Sequence, residues 1–400
     1  MKNNSRLTPE GTRDVLFAES EAQSHIEKSL RTFFYNRGFR EVRTPGIEFY
    51  DVFGATDKYF PQESMYKLSD HQGRLIVMRP DSTIPMARLV STKFKNKTMP
   101  LRLCYDQVVY RTSRTLDGIS HEMRQMGVEV IGAEGAKSDI EILKMACDVF
   151  ETIQLGEDYR LEIGHVGIFK GLVDGLGIDE DERATLFKAV EEKNYSSLND
   201  ILENVKDKRE AALLRVLPRL FGGRETLKEA RQYLEGVSEE ISTALGQLEW
   251  IYNQFEAMGL ADKMMIDLGL INQADYYSGL IFRGYVGGAG TAVLSGGRYD
   301  HLLNDFGMTA AAIGFGVRVD QLATVLLQQS SEVYVAPDLL YAEEADFAKA
   351  FQWLTKEGIR AEWSLANTLE EALQEAAARG MCRLIYFRQD TAEWLEVQDA

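Results

Sequence analysis

The chain has 400 residues, is 45% hydrophobic and 27% charged, and carries a formal charge of −17. That length suits a sizeable core and roughly two or three domains, and the composition is that of a folded globular protein. The acidic balance argues against tRNA as a habitual partner, because gripping a nucleic-acid backbone needs a basic stripe. No stretch approaches the roughly 18 consecutive apolar residues of a membrane span. Met1-Lys2-Asn3-Asn4-Ser5 does not open a signal peptide, so a cytoplasmic location with no membrane partner is expected. The three cysteines, Cys104, Cys147 and Cys382, lie far apart without CxxC or Cys/His spacing. They predict buried reduced thiols rather than a disulfide or a zinc site, and no cofactor is expected.

Residues 8–14 form a polar, turn-rich opening. Residues 19–36 set Ile26, Leu30, Phe33 and Phe34 on one helical stripe, and Gly38 closes the helix. Residues 40–45 alternate as a strand and stop at Pro45, which cannot donate to a ladder. Two strands flank the turn His71-Gln72-Gly73, and a helix follows over residues 84–94. Asp81, Ser82 and Thr83 precede that helix, and capping alone would explain them.

Residues 101–111 and 121–131 read as paired strands joined by a polar loop holding Thr112, Ser113, Asp117, Gly118 and Ser120. Arg111, at the end of the first strand, is placed to hold a guanidinium fork over a cleft, where it can pair with a carboxylate or phosphate. A solvated strand-end arginine is the commoner case. Gln125 and Glu129 fall four apart on the return strand and so share one face.

An amphipathic helix over 138–155 and a strand over 160–164 come next. Residues 166–260 are almost wholly helical and read as an inserted layer whose acidic faces are solvated. Strands return at 263–270, 279–286 and 291–294. The last two are joined by Gly287-Gly288-Ala289-Gly290, which lacks a P-loop lysine and suits a tight hairpin. Residues 295–300 lead into a helix, and 310–328 read as a strand passing into another. Beyond that, strands at 338–341, 360–364, 383–387 and 394–397 alternate with helices at 344–357 and 368–379, a small α/β unit. The expected domains are residues 1–328, including the 166–260 insertion, and residues 329–400.

Several of these stretches resemble the motifs of class II aminoacyl-tRNA synthetases, specifically the histidyl branch. Arg111 stands where an arginine opens the second motif, and Gln125-Met126-Gly127-Val128-Glu129 is its closing Q-x-G-V-E run. Arg79-Pro80-Asp81-Ser82-Thr83 is similar to the branch's R-P-E-G-T, whose acid and threonine hold the amino group of the bound amino acid. Tyr276 and Tyr277 end the counterpart of a histidine-specific L-V-R-G-L-D-Y-Y run, and Gly296-Gly297-Arg298-Tyr299 also matches. The resemblance spans roughly residues 8–327. It implies an α+β fold in which helices flank an antiparallel sheet, with a helical insertion and a small C-terminal α/β domain. The helix, strand and proline of residues 19–45 would build a homodimer, although a helix packed on an edge strand needs none. The implied histidine-binding residues are Asp81, Thr83, Arg111, Gln125, Glu129, Tyr276 and Tyr277. The same residues could instead persist as packed polar core. Gln107 and His121 stay unassigned.

The departures are as informative. Ser113 replaces the family's glutamate, although Arg114 keeps the next position. Asn272 stands in place of the catalytic arginine of the histidine-specific run. The third motif, usually G-F-A-I-G-x-E-R, ends in Gln321, and its second glycine is Arg318. Neutral amides cannot offset phosphate charge, and Arg318 would crowd an adenine. Losing one oriented donor of this sort typically costs about 10²–10³ in rate, so adenylation is not expected. A retained pocket with missing phosphate cations resembles the ATP phosphoribosyltransferase regulatory subunits, a synthetase-like branch without aminoacylation. That implies a non-catalytic partner of the short-form catalytic subunit within a hetero-oligomer, with L-histidine as feedback effector in the first step of histidine biosynthesis. A working histidyl-tRNA synthetase or related amino-acid ligase is the alternative.

Overall fold

The computed structural model describes residues 5–54, 61–112, 120–191, 194–205, 208–271, 276–329 and 337–397. In chain order the first elements are α1 (Phe17–Asn36), β1 (Arg40–Glu41), β2 (Ile47–Phe49), β3 (Lys67–Ser69), β4 (Leu75–Met78) and α2 (Thr83–Lys93). The long pair β5 (Leu101–Tyr110) and β6 (Glu122–Ile131) comes next, then α3 (Ala136–Thr152) and β7 (Tyr159–His165). The helical stretch comprises α4 (Val166–Leu176), α5 (Glu180–Glu191), α6 (Tyr195–Glu203), α7 (Arg209–Val216), the short β8 (Phe221–Gly222), α8 (Arg224–Leu234) and α9 (Glu239–Ala257). Then come β9 (Met264–Asp267), β10 (Leu280–Val286), β11 (Leu294–Arg298), β12 (Ala312–Arg318) and α10 (Val319–Gln329). The chain ends with β13 (Asp338–Ala342), α11 (Phe347–Glu357), β14 (Ala361–Trp363), α12 (Leu369–Ala378), β15 (Arg383–Arg388) and β16 (Thr391–Glu396).

Residues 1–329 form one compact unit and 330–400 another. The first is built on a nine-stranded sheet ordered β1-β5-β6-β12-β11-β10-β7-β9-β8. Its central strands, β5 through β7 in that order, pair antiparallel, while β1 joins β5 and β9 joins β7 in parallel. Alternation along the strands sorts side chains to two cores. Met126, Val128 and Val130 of β6, with Ile313, Phe315 and Val317 of β12, face the core shared with α1, α3 and the helical layer. Leu103, Tyr105 and Ile131 face a second core containing Ile84, Met86, Tyr276, Tyr277 and Tyr299. The candidate site lies on this second face.

Five expectations are corrected, the first being that Cys382, read as a buried thiol, is exposed. The third returning strand is β11 at Leu294–Arg298 rather than residues 291–294. Gly296-Gly297 therefore lies inside a strand instead of leading into a helix. Glycine is required there, because a Cβ at Gly296 would run into the Gly314 carbonyl and the Phe282 ring. Past Asp300 the chain makes only a short 3₁₀ turn at Leu302–Phe306. The strand read over 40–45 pairs only at Arg40–Glu41, since the Thr44 and Pro45 carbonyls are taken by the buried Arg79 guanidinium at 2.9 and 3.2 Å. Finally, β8 interrupts the helical stretch and pairs antiparallel with β9. Ser113, Arg114, Asp117, Gly118 and Asn272 lie outside the described residues.

In the second unit, the sheet order is β14-β13-β15-β16, parallel except for the closing β15–β16 hairpin. Leu339 and Leu384 pack with α12 on one face, and Leu340 and Phe387 lie in the core cluster of the other.

Candidate functional site

A cavity of about 320 Å³ lies where β5, β6, β11 and β12 meet the start of α2. Asp81, Thr83, Arg111, Gln125, Glu129, Tyr276 and Tyr277 all line it, and so do Tyr105, Arg283, Tyr299 and Arg318. The sheet provides the room. Gly314 lies opposite Glu129 and Gly316 opposite Gly127 across β12 and β6. A Cβ at Gly314 would collide with the Glu129 carboxyl, and one at Gly316 with the Gln125 amide.

Glu129 is the chemical centre of the acidic end and is 1% exposed. Thr83 Oγ1 donates to its Oε1 at 3.0 Å, and the Tyr299 hydroxyl donates to its Oε2 at 2.5 Å. Burial nevertheless dominates and pushes the carboxyl up to about 8. Asp81 does two things at once. Its Oδ1 accepts from the Ile84 backbone N–H at 2.9 Å, which is the capping role, while Oδ2 lies 3.7 Å from Arg111 Nη2. Burial raises this carboxyl too, with Arg111 pulling the other way. Gln125 presents a buried Oε1 that has no hydrogen-bond partner among the described residues.

Aromatic rings form the walls. Tyr276 and Tyr277 lie 4.7 Å apart at 47°, and Tyr276 meets Tyr299 edge-on at 6.0 Å. Burial holds the Tyr105, Tyr276, Tyr277 and Tyr299 hydroxyls protonated, well above the ordinary phenol range. The remaining wall is cationic. Arg111 Nε is anchored on the Pro80 carbonyl at 2.6 Å, and Arg283 Nη2 on the Ile271 carbonyl at 2.9 Å. Arg318 ends β12; its Nη2 lies 3.5 Å from Met123 Sδ. The Gln321 amide, turned so that its donors and acceptors are satisfied, accepts from Arg318 Nη2 and Nη1 at 3.1 and 3.2 Å.

Sequence reasoning gathered seven of these residues but left out four. Tyr105 reads as a core aromatic of β5, and only pairing with β6 brings it beside Glu129. Arg283 lies inside an apolar strand with no motif around it. Tyr299 was legible as a motif match without a role, and Arg318 as an intrusion into a nucleotide site. The alternation Gly314-Phe315-Gly316 was the available signal, since glycines on one face of a strand mark close approach.

Other motif residues serve the frame. Arg298 is buried with Asp139, donating from Nη2 and Nε to its Oδ1 at 2.6 and 3.0 Å. Gln107 takes a hydrogen bond from Thr44, and His121 Nδ1 lies 2.7 Å from the Tyr66 hydroxyl. Neither lines the cavity.

Two buried carboxyls, an open amide acceptor, tyrosine rings and guanidinium groups, that of Arg111 within 3.7 Å of Asp81, thus line one polar cavity with aromatic walls. Residues 11–322 match the family model for histidyl-tRNA synthetase. The chain is 38% identical over 389 residues to the ATP phosphoribosyltransferase regulatory subunit of Clostridium kluyveri, covering 95% of this chain and 99% of that one. The regulatory subunit of Bacillus mycoides is 36% identical over 381 residues, covering 93% and 89%. A crystal structure described as an ATP phosphoribosyltransferase regulatory subunit/histidyl-tRNA synthetase from Bacillus halodurans superposes with a TM-score of 0.81 at 30% identity, covering 95% and 98%. Histidyl-tRNA synthetase from Nostoc shares the fold at a TM-score of 0.77 and 17% identity, covering 98% and 97%. The chain belongs to the ATP phosphoribosyltransferase regulatory subunits, within the histidyl-tRNA synthetase-like family.

Proposed function

We propose that this protein is a non-catalytic regulatory subunit that binds L-histidine in the cavity around Glu129, activates a short-form ATP phosphoribosyltransferase catalytic subunit, and makes it sensitive to histidine. The observation that carries the reading is the arrangement of that cavity. Asp81 and the Gln125 acceptor suit an ammonium group, Glu129 and the tyrosines suit an imidazole, and the volume suits one amino acid. Adenylation is disfavoured by the same geometry. Arg318 and its partner Gln321 lie at positions where the synthetase motif has a glycine and a phosphate-binding arginine. The chain would work as a homodimer within a hetero-oligomer of the two subunits, without tRNA.

Histidine can inhibit only by binding the inactive assembly more tightly than the active one, typically by about 1–3 kcal/mol. The test is the transferase activity of the short catalytic subunit with and without this protein over a histidine titration. Activation that histidine reverses is expected. No activation, together with histidine-dependent ATP–pyrophosphate exchange by the chain alone, would replace the proposal with ligase chemistry.

A further inference from the structure

The inserted helical layer reaches the cavity through a line of hydrogen bonds. Resting on the histidine reading of the cavity, we infer that Gln247 of α9 is a positioning residue: through the Asp139–Arg298 pair it holds the Tyr299 hydroxyl on the Glu129 carboxyl. His165, at the end of β7, starts the line. Its Nδ1 accepts from the Gly167 backbone N–H at 3.1 Å and so caps α4. The proton of the neutral ring therefore sits on Nε2, which faces Gln247 Oε1 at 3.2 Å. Burial keeps the ring neutral, pushing its pKa down to about 4. The imidazole thus fixes which way the Gln247 amide points, and the amide Nε2 donates to Asp139 Oδ2 at 2.7 Å.

With one oxygen held by Gln247, the fully buried Asp139 presents the other to the Arg298 fork. Arg298 closes β11, where side chains alternate. Gly297 faces Tyr277, Arg298 turns to α3, and Tyr299 turns back to Glu129. The backbone is pinned on both sides of the pair: Ser278 N–H donates to the Arg298 carbonyl at 2.7 Å, and Tyr299 N–H to the Ala312 carbonyl at 2.8 Å. A second link from the same layer ends on the neighbouring wall, since Lys170 Nζ of α4 donates to the Tyr277 carbonyl at 3.4 Å. Neither Gln247 nor Lys170 lines the cavity, yet each leads to a tyrosine that does. Without the Gln247 amide, Asp139 is left with an unmet oxygen that competes for the Arg298 fork. The end of β11 then shifts, and the Tyr299 hydroxyl shifts with it.

A double-mutant cycle on the full-length protein, read by calorimetric titration with L-histidine, tests this. Gln247→Met, which keeps the length of the side chain and removes both hydrogen bonds, should weaken histidine binding about 3- to 10-fold, the range of one hydrogen bond. Tyr299→Phe should weaken it at least as much. The double variant should bind no more weakly than Tyr299→Phe alone, because the hydroxyl through which Gln247 acts is already gone. Should Gln247→Met unfold early, Gln247→Glu repeats the cycle: it keeps the shape and the acceptor for His165 and, ionised, has no proton for Asp139. If the two effects multiply, Gln247 acts through general packing and the inference is wrong. If either single variant binds histidine as the wild type does, the route through Tyr299 is wrong while the histidine site stands. If wild-type protein binds no histidine, the reading of the cavity falls and this inference falls with it.

Discussion

Glu129 gives up its two hydrogen-bond acceptors to Thr83 and Tyr299 and is still held up to about 8 by burial. An acid whose pKa is raised on folding contributes most below its unfolded value, and that contribution is lost as pH rises through the folded one. Wild-type protein should therefore lose stability relative to Glu129→Gln between about pH 5 and about pH 8, by at most about 1.4 kcal/mol per pH unit. Thermal unfolding of both proteins across that range checks it; parallel curves would mean that Glu129 is already ionised in the empty site. Gln125 and Glu129 were legible because a strand repeats every two residues, and Asp81 because a helix start needs an acceptor. Arg283 and Arg318 were not assigned to the site, because their place in it depends on which strands pair, a non-local fact that local periodicity does not contain.

Among the elements, β6 and β12 carry the site, and their glycines set its depth. Gly316 and Gly314 make opposite demands despite lying two residues apart. A Cβ at Gly316 meets first the far end of Gln125, a side chain that can swing away, whereas one at Gly314 also meets the Val128 carbonyl, which cannot. Gly316→Ala is thus expected to unfold near the wild-type temperature while losing about tenfold in histidine affinity, equivalent to about 1.4 kcal/mol. Gly314→Ala should lower the unfolding temperature as well. Unfolding scans and titrations of the pair separate the two, and equal behaviour would show that strand packing adjusts more freely than the register allows. The helices α1 and α3 and the β5–β6 pair could be read from the sequence within a few residues, because each carries a long periodic stripe. β11 could not, because its two glycines look like a turn until Phe282 and Tyr277 are packed against them. β8 is two residues long and exists only because β9 offers it an edge.

On the scale of the whole molecule, the cavity is contained within the first unit, every lining residue falling before Gln329. We propose that this unit folds and binds histidine without residues 330–400, which have their own cores on both faces of a separate sheet. A chain ending at Gln329 should unfold cooperatively and titrate histidine with wild-type affinity. Loss of binding with the fold retained would assign the small unit a part in the site. Whether that shortened chain still activates the transferase then reports what the small unit contributes to the assembly. The register of β6 against β12 has one more implication. Glu129 faces Gly314 and Val128 faces Phe315, so a slip of one residue would drive a carboxyl into the apolar core and a valine into the cavity. What the register hands down is therefore the mould and not its lining: it decides which positions open on the cavity and how deep it is, and leaves the side chains at those positions to decide what fits.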